Sequence, residues 1–339
     1  MSRASQGGGV DTRVGYVVPA DGVTPRSAVD LAVLSERAGF SGVMVADTFQ
    51  PWLPSLGHAP HVWSLLGALS EHLTGDFGAG MVAPGGRMHP VAVAQAAATL
   101  ASLHPGRHWV AMGGGEALHE HVTGDYWPEP SERIGRLFEA VEVVRRLFAG
   151  SAAGRDVRHA GEHFRVESTR IWTMPEQPPA VLVAASGPVT ARRAGRSADG
   201  LLAVAVQPQQ AALVLERFRQ GAEESGRDPA AMPAWLHLNL SWAATTQDAI
   251  DNVTKRYPMA AMRFARGDLR SPHVVEQIAK LVRPEDFAGR IPTTHDPDVL
   301  GEVIRSYLDL GYDRVFLHNV GGNQVAFLEA VGAAGLAGL

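Results

Sequence analysis

The sequence predicts an α/β fold, namely a (β/α)8 TIM barrel with loop insertions. Short apolar runs alternate with longer segments of helical period from residue 13 nearly to the C-terminus, and eight such runs are present. The 339 residues suffice for one full core, and no linker rich in Pro, Ser or Gly divides them. Eight strands in one series favour a closed barrel over a doubly wound sheet.

Each predicted strand is a short apolar run bounded by turn or helix signals. Because a long helical segment separates most neighbouring runs, the strands are expected to be parallel. The eight runs lie at 13–18, 42–47, 77–84, 108–115, 180–188, 200–206, 234–242 and 313–319.

Two helices have clear boundaries. Thr24 as N-cap and Pro25 at the first helical position predict a helix that runs to about Gly39. A longer helix is predicted to begin at Ser131, to carry one apolar face, and to stop at Gly150.

The chain is expected to form one barrel domain over residues 13–339. The first residues, 1–12, are polar and glycine-rich and are expected to be disordered. Stretches near 120–130 and 263–290 exceed what a barrel needs, so we expect them to be βα-loop insertions that act as lids or substrate walls.

Composition excludes several classes of function. Thirty basic residues against 35 acidic ones, with no basic run, indicate a small-molecule substrate and no nucleic acid. The absence of cysteine excludes disulfides and cysteine nucleophiles. The N-terminus lacks the apolar core of a signal peptide, and no segment has about 20 uninterrupted apolar residues. We therefore expect a cytoplasmic protein without membrane contact.

The candidate site lies at the C-terminal ends of the strands, where barrel enzymes carry their active sites. Glycines at 113–115 let a flat or anionic ligand approach the backbone, with Glu116 directed toward it, although a plain turn explains them equally. Ser186 as N-cap and Pro188 in the first turn indicate a helix N-terminus that binds phosphate or is merely capped. The strand ends to inspect are 47–52, 80–81, 113–116 and 184–188.

These strand ends carry motifs that resemble the luciferase-like superfamily of barrels. Within that superfamily the chain resembles the coenzyme F420-dependent glucose-6-phosphate dehydrogenases and hydroxymycolic acid dehydrogenases of actinobacteria. The resemblance covers nearly the whole chain, in order and spacing. Its motifs are DTFQPW (47–52), GHAP (57–60), HPVAVAQAAATL (89–100), GGGEALHE (113–120), AASGP (184–188) and GRSADG (195–200).

The resemblance implies a deazaflavin, coenzyme F420, across the barrel mouth, with hydride transferred at its C5 carbon. It also implies a non-proline cis peptide bond between Gly80 and Met81, and Glu116 as an acid or electrostatic partner of the ring. A homodimer is expected. The implied cofactor-binding residues are Asp47, Gly80, Met81, Gly114, Gly115, Glu116, His119, Ala185, Ser186, Gly187, Pro188 and Val189.

One departure from the family concerns the general base. Family dehydrogenases carry a histidine where this chain has Thr48, and a threonine hydroxyl is not basic near neutral pH. Asp21 stands where those enzymes have a glutamate near the substrate, and Trp52 would form a wall of the substrate pocket or simply pack. We count Asp21, Thr48, Trp52 and Glu116 as the candidate catalytic residues.

A second departure concerns the substrate anion. The sugar-phosphate enzymes use three basic positions, which correspond here to Gln207, Arg266 and Arg290. The two remaining arginines either hold a substrate carboxylate or phosphate, or are ordinary surface residues. Together with Trp52, these three are the candidate substrate-binding residues.

Three functions remain open from the sequence. The first is a reductase that delivers hydride from reduced F420 to an activated C=C or C=N bond, which needs no alcohol-deprotonating base. The second is an F420-dependent alcohol or sugar-6-phosphate dehydrogenase with Asp21, His61 or His119 as substitute base. The third is a barrel that binds the cofactor without turnover, and an FMN-dependent monooxygenase is a lesser alternative. No metal is expected, because His58 and His61 lack a carboxylate at ligand spacing.

Overall fold

The computed structural model describes residues 13–204, 207–264 and 266–339, in which eight parallel strands close into a barrel. Each barrel strand pairs with the next one, and the last pairs with the first. This ring confirms the predicted fold, while the disorder expected at 1–12 falls outside the described residues. The barrel strands are β1 (Val14–Val18), β2 (Gly42–Ala46), β3 (Asp76–Val82), β4 (His108–Met112), β7 (Ala180–Ala185), β8 (Gly200–Val204), β9 (Ala234–Trp242) and β11 (Arg314–Asn319).

Helices fill the connections between the strands. The Thr24 hydroxyl accepts the Ser27 N–H at 3.1 Å, and Pro25 occupies the first helical position, which confirms the predicted start of the first helix. The helices are α1 (Pro25–Arg37), α2 (Val62–Ser70), α3 (Pro90–Leu103), α4 (Ala117–Glu120), α5 (Pro130–Ala152), α6 (Pro188–Ser197), α7 (Pro208–Glu224), α8 (Thr246–Arg256), α9 (Pro272–Ala279), α10 (Pro297–Asp309) and α11 (Gln324–Ala333).

The predicted stop of the long helix at Gly150 is wrong, because α5 continues to Ala152. Strands β5 (Val157–Ala160) and β6 (Arg165–Thr169) form an antiparallel hairpin that follows this helix and was not predicted. A side chain at position 150 would collide with Val157 of the hairpin. The glycine therefore serves close packing against β5 and does not end the helix.

The interior of the barrel is filled with side chains. Trp109 packs against Trp235 and Phe316, with ring centroids 4.9 and 5.5 Å apart. Glycines on neighbouring strands make room for these rings: Gly78 lies beside Trp109, and Gly15 lies beside Phe316. A packed interior leaves the open end of the barrel as the place for a ligand.

A bulge interrupts β3 where the resemblance implied a cis peptide bond. Ala79 pairs with Val110 and Val82 with Met112, so two residues, Gly80 and Met81, lie opposite one residue of β4. The expectation of a cis bond is wrong, since no cis peptide bond occurs among the described residues. Met81 instead adopts a left-handed φ of 58°, which bends the strand end at a cost of about 1–3 kcal/mol.

The stretch 263–290 contains α9 and two short 3-10 turns, at Arg266–Asp268 and Pro284–Phe287. Its neighbours Met259 and Met262, together with Val275 of α9, pack in one apolar cluster with Leu53 and Leu56 from the loop after β2. The segment therefore lies against the loops at the C-terminal ends of the strands, the position of a substrate wall.

Two smaller observations complete the fold. The short strand β10 (Thr293–Thr294) pairs with β9 and leads into α10. Within the described part of the chain, none of the helices combines the length and apolarity needed to cross a membrane.

Candidate active site at the mouth of the barrel

The ends of β1 and β2 bring three of the predicted catalytic residues together. The Asp21 carboxylate accepts the backbone N–H of Trp52 at 3.2 Å. The Thr48 hydroxyl lies 3.5 Å from the backbone oxygen of Ala20, to which it donates. Burial raises the pKa of Asp21, and the Trp52 N–H and Arg256 partly oppose that shift. Thr48 therefore contributes a hydroxyl bonded to backbone, whereas Asp21 contributes an acid that holds its proton more tightly than usual.

Arg87, which the sequence did not single out, joins two acids beneath the mouth. Its Nη2 atom lies 2.7 Å from the carboxylate of Asp47 and 2.7 Å from that of Glu120. All three side chains are nearly inaccessible to solvent. The second carboxylate oxygen of Glu120 is buried without a protein partner. Asp47, predicted to contact a cofactor ring, is thus held in place by a buried ion pair.

His119 is buried at the same point and is held in one tautomer. Its Nδ1 atom accepts the backbone N–H of Phe49 at 3.4 Å, so the neutral ring carries its proton on Nε2. Burial, and then the charge of Arg87, lower the pKa of His119 to about 3. Since Nε2 lies 3.8 Å from the Glu116 carboxylate, His119 directs its N–H toward Glu116 and has no free lone pair for a substrate proton.

Glu116 stands at the start of α4 and faces the mouth. Its side chain is 37% exposed, yet protein atoms surround the carboxyl group closely enough that burial raises its pKa. The positive charges of Arg266 and Arg133 oppose this shift. A carboxyl group with a raised pKa can gain or lose a proton nearer to neutral pH than an ordinary glutamate.

The glycines after β4 combine a necessary backbone shape with an open surface. Gly115 has a φ of 74°, and a side chain there would meet Ala83 at 2.8 Å. At Gly114, in contrast, an added Cβ would meet only Ile134, at 3.7 Å. Gly114 therefore leaves a flat stretch of backbone accessible to a planar ligand.

The N-terminus of α6 is free of side-chain caps. Gly187 is the N-cap, so the prediction of Ser186 as cap is wrong by one residue, because Pro188 already occupies the first helical position. Ser186 is exposed, Ala185 is buried at the end of β7, and Val189 is 73% exposed. No acidic residue lies in the first turn, so its free N–H groups are available to an anion such as phosphate.

An open pocket of about 550 Å³ lies beside these strand ends. It brings together Gln207, Arg266 and Arg290, the three residues that were predicted to correspond to the family's basic positions. Gln207 donates from its side chain to the backbone oxygen of Gly289, which fixes it in the wall. No carboxylate is present among the described residues that line this pocket. Its polar lining comprises Gln207, Gln210, Asn239, Tyr257, Arg266 and Arg290.

Trp52 lies between Asp21 and His119. Its backbone bonds Asp21, and its ring packs edge-to-face against His119 at a centroid distance of 5.8 Å. His61, in contrast, is exposed at the start of α2 and shares a hydrogen bond with Ser64 at 3.1 Å. Among the described residues it contacts none of the site residues above. The structure therefore gives no support to His61 as a substitute base.

Sequence reasoning missed several residues of the site, Arg87 and Tyr257 among them. Arg87 follows the bulged strand β3, and inspecting six residues beyond Met81 would have found a cation after two glycines. Tyr257 follows α8, well beyond the end of any barrel strand, and packs edge-to-face on His318 at 6.1 Å. No local pattern marks Tyr257, because only tertiary packing brings it to the pocket.

Fold and similar proteins together define an enzyme of the oxidoreductase class, built on a barrel with a bulged third strand. The chain belongs to the luciferase-like monooxygenase family, whose sequence model matches residues 6–327. The resemblance read from the strand-end motifs is thereby confirmed.

The similar proteins belong to a narrower group of oxidoreductases, those that depend on coenzyme F420. An F420-dependent glucose-6-phosphate dehydrogenase of Segniliparus rotundus is 34% identical, with 94% of this chain and 95% of that protein covered. Its counterpart in Mycolicibacterium smegmatis is 32% identical over 94% and 95% of the two chains. A solved F420-dependent secondary alcohol dehydrogenase, in complex with an F420–acetone adduct, has 25% identity and a TM-score of 0.89, over 97% and 99% of the chains.

The same fold also occurs in proteins of lower sequence identity. A coenzyme F420-dependent tetrahydromethanopterin reductase from Methanopyrus kandleri superposes with a TM-score of 0.77 at 19% identity, over 95% and 97% of the chains. At that identity the likeness concerns the fold alone.

Proposed function

We propose that this protein is a coenzyme F420-dependent dehydrogenase that oxidises an alcohol group of a small molecule. The observation that carries the proposal is the free N-terminus of α6 at the mouth that also holds Gly114 and Glu116. The relatives support it, since those named above act with F420 and most are dehydrogenases. The reductase that the sequence placed first has weaker support from them than the dehydrogenase alternative.

The residues present fit a deazaflavin. The uncapped first turn of α6, from Gly187 to Val189, offers N–H groups to the phosphate of the cofactor tail. Gly114 offers an unobstructed surface to the ring, and Met81 of the bulge lies beside the neighbouring Gly113. When bound, coenzyme F420 supplies a carbon that accepts or donates hydride and does not activate oxygen.

Charged and polar residues of the chain surround the proposed position of that ring. Glu116, whose pKa burial raises, offers a carboxyl group at the mouth that can neutralise or stabilise charge as it develops. The Nε2–H of His119 faces this carboxyl group and restricts its orientation. Arg87 fixes Asp47 on one side and Glu120 on the other, so neither acid needs to move during turnover.

The open pocket favours an alcohol that carries an anionic group. Arg266 and Arg290 both line it, and its described lining includes no carboxylate to neutralise them. A phosphate or carboxylate on the substrate would therefore be attracted to this wall. Gln207 offers an amide where a third cation is absent, so the site differs from one built around three basic residues.

A reductase acting on an activated C=C or C=N bond is the second candidate. The observation in its favour is Thr48, whose hydroxyl is bonded to a backbone oxygen and cannot accept an alcohol proton. Binding without turnover is disfavoured because the relatives are enzymes. A homodimer and a cytoplasmic location stay predictions.

Two measurements test the proposed function. Fluorescence titration is expected to show binding of F420 in preference to FMN or a nicotinamide; tight FMN binding without response to F420 would refute the cofactor assignment. Cofactor reduction is then measured with a panel of alcohols and sugar phosphates, and cofactor oxidation with conjugated alkenes and imines. Turnover of acceptors alone would favour the reductase.

Variants of Thr48 separate the two candidates at one position. For a reductase, Thr48→Val retains much of the hydride-transfer rate, because the hydroxyl only shapes the pocket. For a dehydrogenase that lacks a strong base, Thr48→His increases alcohol oxidation, since a positioned base contributes about 10²–10⁴-fold. Efficient alcohol oxidation by the parent, without gain from histidine, would mean that another residue already takes the proton.

A further inference from the structure

Tyr257 separates two cavities of different character. On one side lies the open pocket of about 550 Å³ that holds Arg266 and Arg290. On the other lies a small cavity of about 20 Å³, whose polar lining includes Asp21, Arg256, His318 and Gln324. Tyr257 is the one described residue that lines both. Its side chain is therefore the wall between the substrate pocket and Asp21.

Tyr257 lines the open pocket together with Arg266. Burial raises the pKa of its phenol, Arg266 opposes that shift, and the charges of Glu116 and Asp21 add to it. Its ring is held edge-to-face against His318 at 6.1 Å. His318 is itself fixed by a hydrogen bond of 2.7 Å between Nδ1 and the side-chain oxygen of Asn239. The phenol therefore has a fixed position and a charged partner on the pocket side.

We propose that Tyr257 exchanges the proton with the substrate oxygen, with Arg266 at its phenol oxygen and Asp21 as the proton acceptor behind it. The proposal rests on the proposed dehydrogenase function. It assigns to Tyr257 the role that Thr48 cannot perform.

The proton and electron balance is that of an alcohol oxidation. The C–H electron pair of the substrate leaves as hydride to the oxidised deazaflavin that the proposed function supplies. The C–O bond becomes a carbonyl, and the hydroxyl proton passes to the phenol oxygen of Tyr257. The proton of Tyr257 passes in turn to the carboxylate of Asp21, and Arg266 stabilises the negative charge on the phenol oxygen in between. In carbonyl reduction the same groups act in reverse, with Tyr257 as the donor.

The small cavity gives the proton a route. Its volume exceeds the roughly 10–15 Å³ that one water molecule requires, and Asp21, Arg256 and Gln324 contribute polar groups to its lining. Arg256, which lines it, has a buried Nε atom without a protein partner. One water molecule between Tyr257 and Asp21 would connect them in a single relay step. Burial raises the pKa of Asp21, which makes this acid a better proton acceptor than an ordinary aspartate.

The other candidates for the base are less well placed. The lone pair on Nδ1 of His119 is engaged by the Phe49 N–H, and Nε2 carries the proton. Asp21 lines the small cavity and is absent from the described lining of the open pocket. Of the proton-exchanging groups considered, Tyr257 is the one that lines the open pocket.

The kinetic test uses the full-length protein with F420 and two probes, glucose 6-phosphate and 2-propanol. With the probe that the parent oxidises faster, Tyr257→Phe is expected to lower kcat about 10²–10⁴-fold and leave the F420 dissociation constant unchanged. Tyr312→Phe is the matched control, since it removes a buried hydroxyl that donates to the backbone oxygen of Ala211. A kcat for Tyr257→Phe within threefold of the parent would overturn the proposal and leave the dehydrogenase function standing.

A second test needs no turnover. The chain has five tyrosines, so in protein labelled with 3-fluorotyrosine the ¹⁹F signal lost in Tyr257→Phe identifies this residue. Its titration midpoint is expected to rise in Arg266→Gln and to fall in Asp21→Asn, because one change removes a cation and the other an anion. If neither variant moves the midpoint, the phenol does not connect these groups and the proposal is wrong. If neither probe is oxidised by the parent, the proposed function fails, and this titration alone decides the placement of Tyr257.

Discussion

Two sides of the barrel mouth are built in opposite ways. On the strand-end side, formed by Asp47, Arg87, Glu116, His119 and Glu120, ion pairs join Arg87 to Asp47 and Glu120, and all of these side chains except Glu116 lie largely out of solvent. The insertion side, formed by Gln207, Tyr257, Arg266 and Arg290, surrounds an open pocket and has few side-chain bonds of its own.

The difference indicates a division of labour. A network of buried ion pairs costs free energy when one member is removed, so the strand-end side is suited to holding one geometry around a cofactor. Charged groups around an open pocket remain partly hydrated and can exchange water for a ligand. The insertion side is therefore suited to selecting the substrate, and the two sides are expected to respond differently to mutation.

The largest effect is expected from Arg87→Met on the strand-end side. The change leaves Asp47 and Glu120 buried without their cation, which is expected to lower the free energy of unfolding at pH 7 by about 3–5 kcal/mol. Urea denaturation measures it. Arg158→Met removes an arginine that is 73% exposed and is expected to cost about 0–0.5 kcal/mol. A cost below 1 kcal/mol for Arg87→Met would mean that the strand-end side is no more rigid than the surface.

Glu116→Gln is expected to affect catalysis more than binding. Its carboxyl group acts where charge changes during hydride transfer, so kcat should fall about 10²–10³-fold while the F420 dissociation constant changes only slightly. Steady-state kinetics measures kcat, and fluorescence titration measures the F420 dissociation constant. Glu167→Gln, at a solvent-exposed position on the hairpin, serves as the control. Equal losses in kcat and binding would make Glu116 a structural residue.

The insertion side is expected to respond through the Michaelis constant. Arg290→Ala should raise KM for an anionic substrate by an amount equivalent to about 1–3 kcal/mol and leave the F420 dissociation constant unchanged. Arg266→Ala should do the same and also lower kcat, because the charge of Arg266 acts on the phenol of Tyr257. Arg263→Ala, in the same segment but 73% exposed, is the control. KM values equal to the parent's in both variants would assign these arginines to the surface.

The smallest effect concerns the pH dependence of stability. The pKa of His119 is about 3 in the folded protein and near 6.5 in the unfolded chain, so only the unfolded state binds a proton between those values. Stability from this site is complete above pH 6.5 and falls as the pH is lowered. His119→Asn should therefore reduce the slope of unfolding free energy against pH by about 1.4 kcal/mol per pH unit between pH 6 and 4. An unchanged slope would mean that His119 protonates in the folded state.

The strand-end side could largely be predicted from the sequence. Side chains that follow the strands of a parallel barrel converge on one end, so Asp47 and Glu116 were expected there, and the family resemblance added His119. Arg87 was missed because it lies beyond a bulge, where counting from the strand no longer gives direction. The same bulge explains the failed expectation of a cis bond, since a left-handed residue can also redirect the strand.

The insertion side could be predicted only in part. Arg266 and Arg290 were found through family correspondence, because neither lies in a helix or strand whose periodicity would orient it. Tyr257 had no local signal at all. Gly150 and Ser186 show a related limit of local patterns. The glycine was interpreted as a helix stop, but it allows close packing against β5. The serine was interpreted as an N-cap, but the helix begins at Pro188 and Gly187 is the cap.

The glycines inside the barrel have a consequence for the family's history and for redesign. Gly78 and Trp109 are direct partners across β3 and β4, as are Gly15 and Phe316 across β1 and β11. In each pair the glycine leaves the space that the aromatic ring on the neighbouring strand fills. A larger residue at either glycine is tolerated only when its aromatic partner shrinks, so substitutions at these sites should arise in pairs. A library that varies both members together would sample new interiors of this barrel, whereas one that varies a single member would return mostly unfolded chains.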